Sequence, residues 1–379
     1  MSLEGKLGSH HHHELVIQVA PPSTTLAGHG DLRQHPHPFR QLFVKQILTH
    51  MLINFHAGYF RISLSLSSQA LLWKTLGELV DGTHFLDRLL RALPSTSFKI
   101  LWSLALFTLL ALSVIYLVRC LLHFDMVKAE FLHHVGVNYL FAPWISWLLL
   151  LQSSPFIGTS SDCYTALWWV FTAPVLALDV KIYGQWLTKG KRFLSNVANP
   201  SSQLSVIGNL AGSRAAALMG WKETAICMFS VGIMHYLVIF ITLYQRISGC
   251  KCLPVMLQPV FFLFIAAPSM ASLTWHSISG SFDCSSKMLF YLSMFLFMSL
   301  VSRPNLFRKS MRKFNVAWWA YSFPLTALAL ASVEYAEEVK AGAAHSLMIF
   351  FVTLSVVVSF ILVVFTAART NLMVFIIPK

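Results

Sequence analysis

Long apolar runs separated by short polar segments recur along almost the whole chain. A run of about 20 apolar residues is what one helix needs to cross roughly 30 Å of hydrocarbon. The pattern predicts ten such spans, near residues 51–73, 98–122, 133–152, 164–187, 201–220, 222–245, 256–278, 286–303, 314–335 and 344–367. We therefore expect an all-α integral membrane protein in which the ten helices form five hairpins.

Composition agrees with a membrane location and removes several classes of function. The chain has 379 residues, of which 56% are hydrophobic and 11% charged. This is too apolar for a soluble surface. The six cysteines are scattered without the spacing of a zinc site or a disulfide framework, and no catalytic motif is present. We expect no enzyme activity, no cofactor, no metal and no nucleic-acid partner.

Basic residues predict how the chain is oriented in the bilayer. The formal net charge is +13, and Lys and Arg are more frequent in cytoplasmic loops than in external ones. One set of connecting segments carries thirteen Lys and Arg and the opposite set carries eight. Both termini are predicted to be cytoplasmic, with a tail at 1–48, a channel domain at 49–368 and a short tail at 369–379. The histidine tract at 10–13 reads either as a purification tag or as native sequence.

The odd and even spans differ in chemistry. Span 2 is almost uniformly apolar, whereas span 5 is dense in Gly, Ser, Ala and amide side chains. Lipid offers polar groups no partners, so small and polar residues inside a bilayer belong at helix interfaces or beside water. We expect odd spans inside the bundle and even spans outside.

Three odd spans also carry a proline after a phenylalanine or alanine. These prolines are Pro143, Pro268 and Pro324, each predicted near the middle of its helix. A mid-helix proline removes a backbone hydrogen bond, and the freed carbonyl needs protein or water around it. Packing kinks explain one such proline, but three at matched depth favour repeated hairpins around a central pore.

Several segments carry a family resemblance, among them VNYLFAPW at 137–144, NPSSQLSVIGN at 199–209, PVFFLFIAAPS at 259–269 and VAWWAYSFPLT at 316–326. From about residue 50 to 367 the chain resembles the plant slow-type anion channels, in the short-tailed branch of homologues of the slow anion channel-associated protein. More distantly it is similar to the bacterial tellurite-resistance and dicarboxylate transporter family. The resemblance implies ten helices in five hairpins, a pore in each protomer and a homotrimer in the plasma membrane.

The resemblance also assigns roles to individual residues. It implies that Phe264 plugs the pore, because an apolar ring blocks a hydrated anion sterically and by dewetting. It implies that Lys128 and Arg246 draw anions to the inner entrance. A packing role for Phe264, and positive-inside bias for the two basic residues, are the alternatives.

Two arginines are predicted within odd spans, where a charged side chain usually faces protein or water. Arg61 and Arg214 could line the pore and attract anions. Snorkelling, or pairing with a carboxylate such as Glu334, is the alternative. Arg61 and His56 replace a glycine and a proline found in the best-known channels, which leaves pore size and selectivity open.

Three functions follow from these observations. The first is a passive channel for chloride or nitrate. The second is an electrically silent subunit that modifies a longer homologue in a heteromer. The third is a carrier of dicarboxylates or oxyanions, for which Asp179 and Glu334 are the only coupling carboxylates that the sequence offers.

Overall fold

The computed structural model describes residue 49 and residues 51–80, 95–188, 198–247, 258–312 and 314–376. Regular structure within these ranges is entirely helical, which confirms the all-α prediction. Residues 51–54 are helical, and from Arg61 onward the described part of the chain contains the α-helices α1 Arg61–Val80, α2 Ser95–Leu122, α3 Phe124–Leu132, α4 Gly136–Tyr139, α5 Phe141–Gln152, α6 Asp162–Thr188, α7 Gln203–Leu218, α8 Lys222–Ile247, α9 Leu263–Ser279, α10 Cys284–Val301, α11 Trp319–Val339 and α12 Gly342–Ile376.

The protein is a multi-pass membrane protein. Among the described residues, seven helices are long and apolar enough to cross a membrane, and an eighth span arises if α3 and the α4–α5 segment, bent by 102° at their junction, are taken together. Helices α1 and α7 fall outside that set. Both contain Ser, Gln and Gly where a lipid-facing helix carries aliphatic side chains. The predicted count of ten spans therefore stays a prediction.

Five helices form a closed ring. Helices α1, α5, α7, α9 and α11 each pack against two others of the same set, and α11 closes the ring on α1. Each of the outer helices α2, α6, α8, α10 and α12 packs against the ring helix that precedes it. In α11 the most apolar stretch is 89% buried, whereas in α2 it is 11% buried. The predicted division into inner odd and outer even helices is confirmed.

The ring helices run parallel to one another. Ser63 and Ser146 lie 3.2 Å apart near the starts of α1 and α5, and Lys74 bonds the carbonyl of Gln152 near their ends. Three other pairs of ring helices also meet start to start and end to end. The α4–α5 segment meets α7 through Asn138 and Ser202 and, farther along, through Gln152 and Ala211. Helix α11 meets α1 at Ser65–Ser322 and then Gln69–Thr326, and it meets α9 at Phe262–Tyr321 and then His276–Glu334. All five helices therefore begin at one end, the N-terminal end of the ring, and finish at the other, the C-terminal end.

A repeated local structure starts the ring helices. Before α1, α7 and α11 the chain makes a short 3₁₀ turn, and an extended residue ahead of the turn accepts a hydrogen bond from the backbone N–H two residues later. The acceptors are the side chains of His56, Asn199 and Asn315, at 3.1, 3.0 and 2.8 Å. Each side chain satisfies an N–H that the helix leaves without a partner.

The prolines differ from the prediction in one case. Pro268 and Pro324 lie within continuous helices, each at the sixth residue of α9 and of α11. Pro143 is the third residue of α5, so it lies in the first turn and not near the middle. First-turn N–H groups have no intrahelical partner, and proline is tolerated there at little cost. A further proline, Pro174, lies inside the outer helix α6.

The predicted tails are only partly covered. The described residues from 51 onward belong to one compact unit, and the predicted N-terminal tail at 1–48 lies outside the described residues. At the other end α12 continues to Ile376, past the predicted end of the last span.

Candidate functional site

The N-terminal end of the ring concentrates positive electrostatic potential. Each helix carries a partial positive charge of roughly half an elementary charge at its N-terminus, because its first N–H groups are unpaired. Since all five ring helices start at this end, these partial charges add around one axis. The arrangement attracts anions before any side chain is considered.

An open cleft of about 410 Å³ lies at this end, lined by His56, Arg119, Ala129, Glu130, His133, Val135, Gly136 and Tyr139. The Glu130 carboxylate connects two elements of its wall. One oxygen accepts from the N–H of Ala57, at 2.7 Å, and the other pairs with the Arg119 guanidinium at 2.5 Å. Both side chains of the ion pair are about nine-tenths buried. Glu130 therefore ties the start of α1 to α2 through the short helix α3.

Arg61 lies beside the cleft and not near mid-span as expected. It is the first residue of α1, its Nε donates to the carbonyl of Gly58 at 2.8 Å, and its guanidinium stacks 4.8 Å from the centre of the Tyr139 ring. One terminal nitrogen of the buried guanidinium has no partner among the described residues. Gly58 is required here, because a Cβ at that position would lie 2.6 Å from the His56 ring.

Two other predicted basic residues, Lys128 and Arg246, lie near this end. Lys128 is exposed on α3. Arg246 is in the last turn of α8, and its side chain lies outside the described part of the chain. The structure brings Arg61, but not Arg214, to this end of the ring.

Phe264 lies in a seam between helices. Its ring packs edge-on against Phe240 of the outer helix α8, with centroids 5.9 Å apart. Trp275 is eleven residues later, three helical turns along α9, so it shares the same face. Trp275 contacts Phe229, which also belongs to α8. This face of α9 contacts α8, and the role of Phe264 as the residue that fills the pore stays a prediction.

A different phenylalanine, Phe323 of α11, is a second candidate for the occluding residue. Phe323 precedes Glu334 by eleven residues, so both lie on one face of α11. Glu334 attracts Arg214 on α7, a helix that is not a neighbour of α11 in the ring. An attraction between non-adjacent ring helices acts across the axis. The Phe323 side chain is 2% exposed, and within the described ranges no aromatic ring stacks on it.

Arg214 lies toward the C-terminal end of the ring, four residues before the end of α7. It is 8% exposed, and one terminal nitrogen donates to the Gln152 side chain at 2.9 Å. The Arg214 Nε has no hydrogen-bond partner among the described residues. The predicted carboxylate Glu334 attracts it electrostatically but pairs directly with His276 at 3.3 Å.

The two candidate coupling carboxylates occupy different environments. Asp179 is buried in the seam between α6 and α7, where it accepts from the Asn209 amide at 2.6 Å. Asp179 therefore lies on the outer side of the ring of inner helices and not on the side that faces the axis. Glu334 pairs with His276 of the neighbouring ring helix α9, a contact that could not be read from the sequence, since the two residues are 58 positions apart. Gln152 and Glu130 were also missed, because neither belongs to a recognisable motif.

Comparisons with known proteins agree with this architecture. A family model described as voltage-dependent anion channel matches residues 54–367. The S-type anion channel SLAH1 of Arabidopsis thaliana is 57% identical over 325 residues, 86% of this chain and 84% of that protein. The S-type anion channel SLAH4 of the same plant is 56% identical, with 86% of each chain covered.

A longer relative is more distant. The guard cell S-type anion channel SLAC1 of Arabidopsis thaliana is 44% identical over 290 residues, which is 76% of this chain and 51% of that protein. The resemblance to plant slow-type anion channels is therefore confirmed. The chain belongs to the voltage-dependent anion channel family, whose members are channels and not enzymes.

Proposed function

We propose that this protein is a slow-type anion channel of the plasma membrane that conducts chloride and nitrate along the axis of its ring. The N-terminal end of the ring and both chain termini face the cytoplasm, and three protomers assemble with one pore each. The observation that carries the proposal is the closed ring of five parallel helices, since it directs five helix N-termini at one mouth.

Side chains at that mouth support entry of an anion. Arg61 presents an unpartnered buried nitrogen beside the cleft, and Lys128 adds an exposed positive charge. The ion pair with Glu130 neutralises Arg119, which keeps the local attraction moderate. Conduction requires this balance, because a site that binds too tightly does not release the ion.

A buried phenylalanine of a ring helix occludes the path at rest. The resemblance selects Phe264, whereas the orientation of α11 favours Phe323, which shares its face with Glu334. The test replaces Phe264 and Phe323 by alanine in separate variants and measures the current of each. Each variant is the matched control for the other, because both phenylalanines are buried and both belong to inner helices. Current that rises only in Phe323→Ala places the occluding ring on α11, and current that rises only in Phe264→Ala places it on α9.

The test of function is voltage clamp of cells that express this chain alone, in chloride and then nitrate, with surface expression measured. Current in the parent, with a reversal potential that follows the anion gradient, supports a self-sufficient channel. Current only in a phenylalanine variant indicates a closed pore that requires a partner or modification. No current in the parent or in either variant, together with co-purification with a longer homologue, would support the electrically silent subunit. Saturable, proton-coupled flux would support a carrier.

A further inference from the structure

Each of the five ring helices contributes one polar side chain near the C-terminal end of the ring. The five residues, which we call the polar collar, are Lys74, Gln152, Arg214, His276 and Glu334. All lie within the last two turns of their helices. Nothing in the sequence groups them, because they are spread over 261 positions.

Direct contacts divide the collar into two groups, one formed by Lys74, Gln152 and Arg214 and the other by His276 and Glu334. Lys74 donates to the carbonyl of Gln152 at 2.9 Å, and the Gln152 side chain accepts from Arg214 at 2.9 Å while its amide nitrogen donates to the carbonyl of Ala211 at 3.0 Å. These two side-chain contacts hold the Gln152 amide in one orientation, and the amide oxygen in turn positions the Arg214 guanidinium. On the other side His276 and Glu334 form an ion pair at 3.3 Å, and Glu334 attracts Arg214.

The position of the collar gives it an electrostatic task. Five parallel helices place the negative ends of their dipoles at this mouth, which repels an anion that leaves the axis. Arg214 opposes that negative potential, and Lys74, whose Nζ lies 3.8 Å from the Glu78 carboxylate, does so only in part. Glu334 adds to it, and an acidic residue near a helix C-terminus is unfavourable unless a neighbour compensates it. The compensating neighbour is His276.

We propose that the polar collar is a binding site for a small monovalent inorganic anion, in which Arg214 is the anion ligand and the His276–Glu334 pair sets the strength of the site. The Nε of Arg214 has no hydrogen-bond partner among the described residues, in a side chain that is more than nine-tenths buried, so it is the donor that a bound anion would satisfy. This inference rests on the proposed function for its physiological meaning. The site itself is defined by the contacts of the five side chains.

The two members of the pair have effects of opposite sign. Glu334→Gln removes the negative charge that competes for Arg214, so the affinity for chloride rises about threefold to tenfold. His276→Gln removes the residue that compensates Glu334, so the affinity falls by a similar factor. The double variant behaves like Glu334→Gln, because without the carboxylate the histidine has nothing to compensate. A purely structural role of the pair would move both single variants in one direction.

The experiment uses the purified full chain in detergent and in chloride-loaded vesicles. Chloride binding is measured as the chloride-dependent rise in unfolding temperature, since a ligand that binds only the folded state stabilises it by mass action. Arg214→Gln is expected to weaken binding at least tenfold. The matched control is Glu338→Gln, an exposed carboxylate on the same helix that lies 4.0 Å from Lys287, and it should leave binding unchanged.

Flux from the same preparations separates this inference from the proposed function. Opposite shifts in chloride affinity for Glu334→Gln and His276→Gln support the collar whether or not the vesicles conduct. If the parent binds chloride in this manner and neither the parent nor its Phe264→Ala and Phe323→Ala variants pass chloride, the channel assignment fails and the site stands. If the parent conducts and neither variant changes affinity relative to Glu338→Gln, or if both change it in the same direction, the collar is not an anion site.

Discussion

The ion pair between Arg119 and Glu130 provides a sharp energetic test of the structure. Their side chains are 5% and 10% exposed, and Glu130 also accepts from the Ala57 N–H. Removing one partner of a buried pair leaves the other charge uncompensated, at a cost of about 3–5 kcal/mol, whereas replacing both by apolar residues is often close to neutral. Glu130→Gln is nearly isosteric and keeps an oxygen for Ala57, so its cost arises from the buried Arg119 charge.

We expect Glu130→Gln to destabilise the protein by about 3 kcal/mol, at the lower end of that range. Arg119→Met costs less, about 2 kcal/mol, because the remaining carboxylate still accepts the Ala57 hydrogen bond and borders an open cleft. The double variant Arg119→Met with Glu130→Gln should then be only about 2 kcal/mol less stable than the parent. The resulting coupling energy is about 3 kcal/mol.

The assay is a double-mutant cycle on the purified protein in mixed micelles, with the free energy of unfolding taken from a denaturing-detergent titration. Glu223→Gln, in the first turn of α8, is the control for loss of a carboxylate away from the cleft. A coupling energy below about 0.5 kcal/mol would show that the two charges do not interact in the folded protein. The assignment of Glu130 as the link between α1 and α2 would then be incorrect.

Three further predictions test the ring and its entrance. Gly58→Ala should destabilise the protein by about 1–3 kcal/mol in the same unfolding titration, because the added Cβ clashes with the His56 ring. Gly77→Ala is the control: Gly77 is exposed, the added Cβ has open space around it, and the change should stabilise α1 by about 0.5–1 kcal/mol. Gln69→Leu should cost about 1–3 kcal/mol, because the Gln69 amide nitrogen lies within hydrogen-bond distance of the hydroxyls of Thr326, Ser355 and Ser359 at the seam that closes the ring. Ser67→Ala, the control, removes a buried hydroxyl without a partner among the described residues and should be neutral. Lys128→Ala should lower the voltage-clamp current about twofold at low ionic strength, with Lys222→Ala at the start of α8 as the control, and equal effects of both would remove Lys128 from the entrance.

Hydrophobic patterning predicted most helix positions because lipid-facing helices must be apolar over their full length. The boundaries of α2, α6, α8 and α10 lie within a few residues of the predicted spans. The inner character of α7 was also predictable, since its Ser, Gly and Asn side chains need protein around them. Patterning is least informative where a helix starts, and there α1 begins ten residues later than expected because His56 and Gly58 form a capped turn.

Side-chain orientation was less predictable than helix position. The sequence places Phe264 on an inner helix, but which way its ring points depends on how α9 is rotated against α8, and only the packed ring shows this. The His276–Glu334 pair could not be predicted from the sequence either, because it joins side chains on two different helices. One signal was available for Arg214, since a buried charge inside a predicted span requires a polar neighbour. That neighbour is Gln152, and nothing in the sequence around Gln152 indicates that its amide accepts a hydrogen bond from Arg214.

The two ends of the ring should respond differently to salt, which tests the electrostatic description as a whole. Lys128 is exposed, and at 1 M salt the Debye length falls to about 3 Å, so its attraction for an approaching anion should be screened. Arg214 is 8% exposed and Glu334 is held by His276, so salt screens the interaction between these two residues much less. Raising the salt from 0.05 to 1 M should therefore abolish the effect of Lys128→Ala on current and preserve the change in chloride affinity caused by Glu334→Gln. If the effect of Glu334→Gln disappears as well, Glu334 acts from the solvent-exposed mouth and not across the axis, and the orientation of α11 that favours Phe323 loses its support.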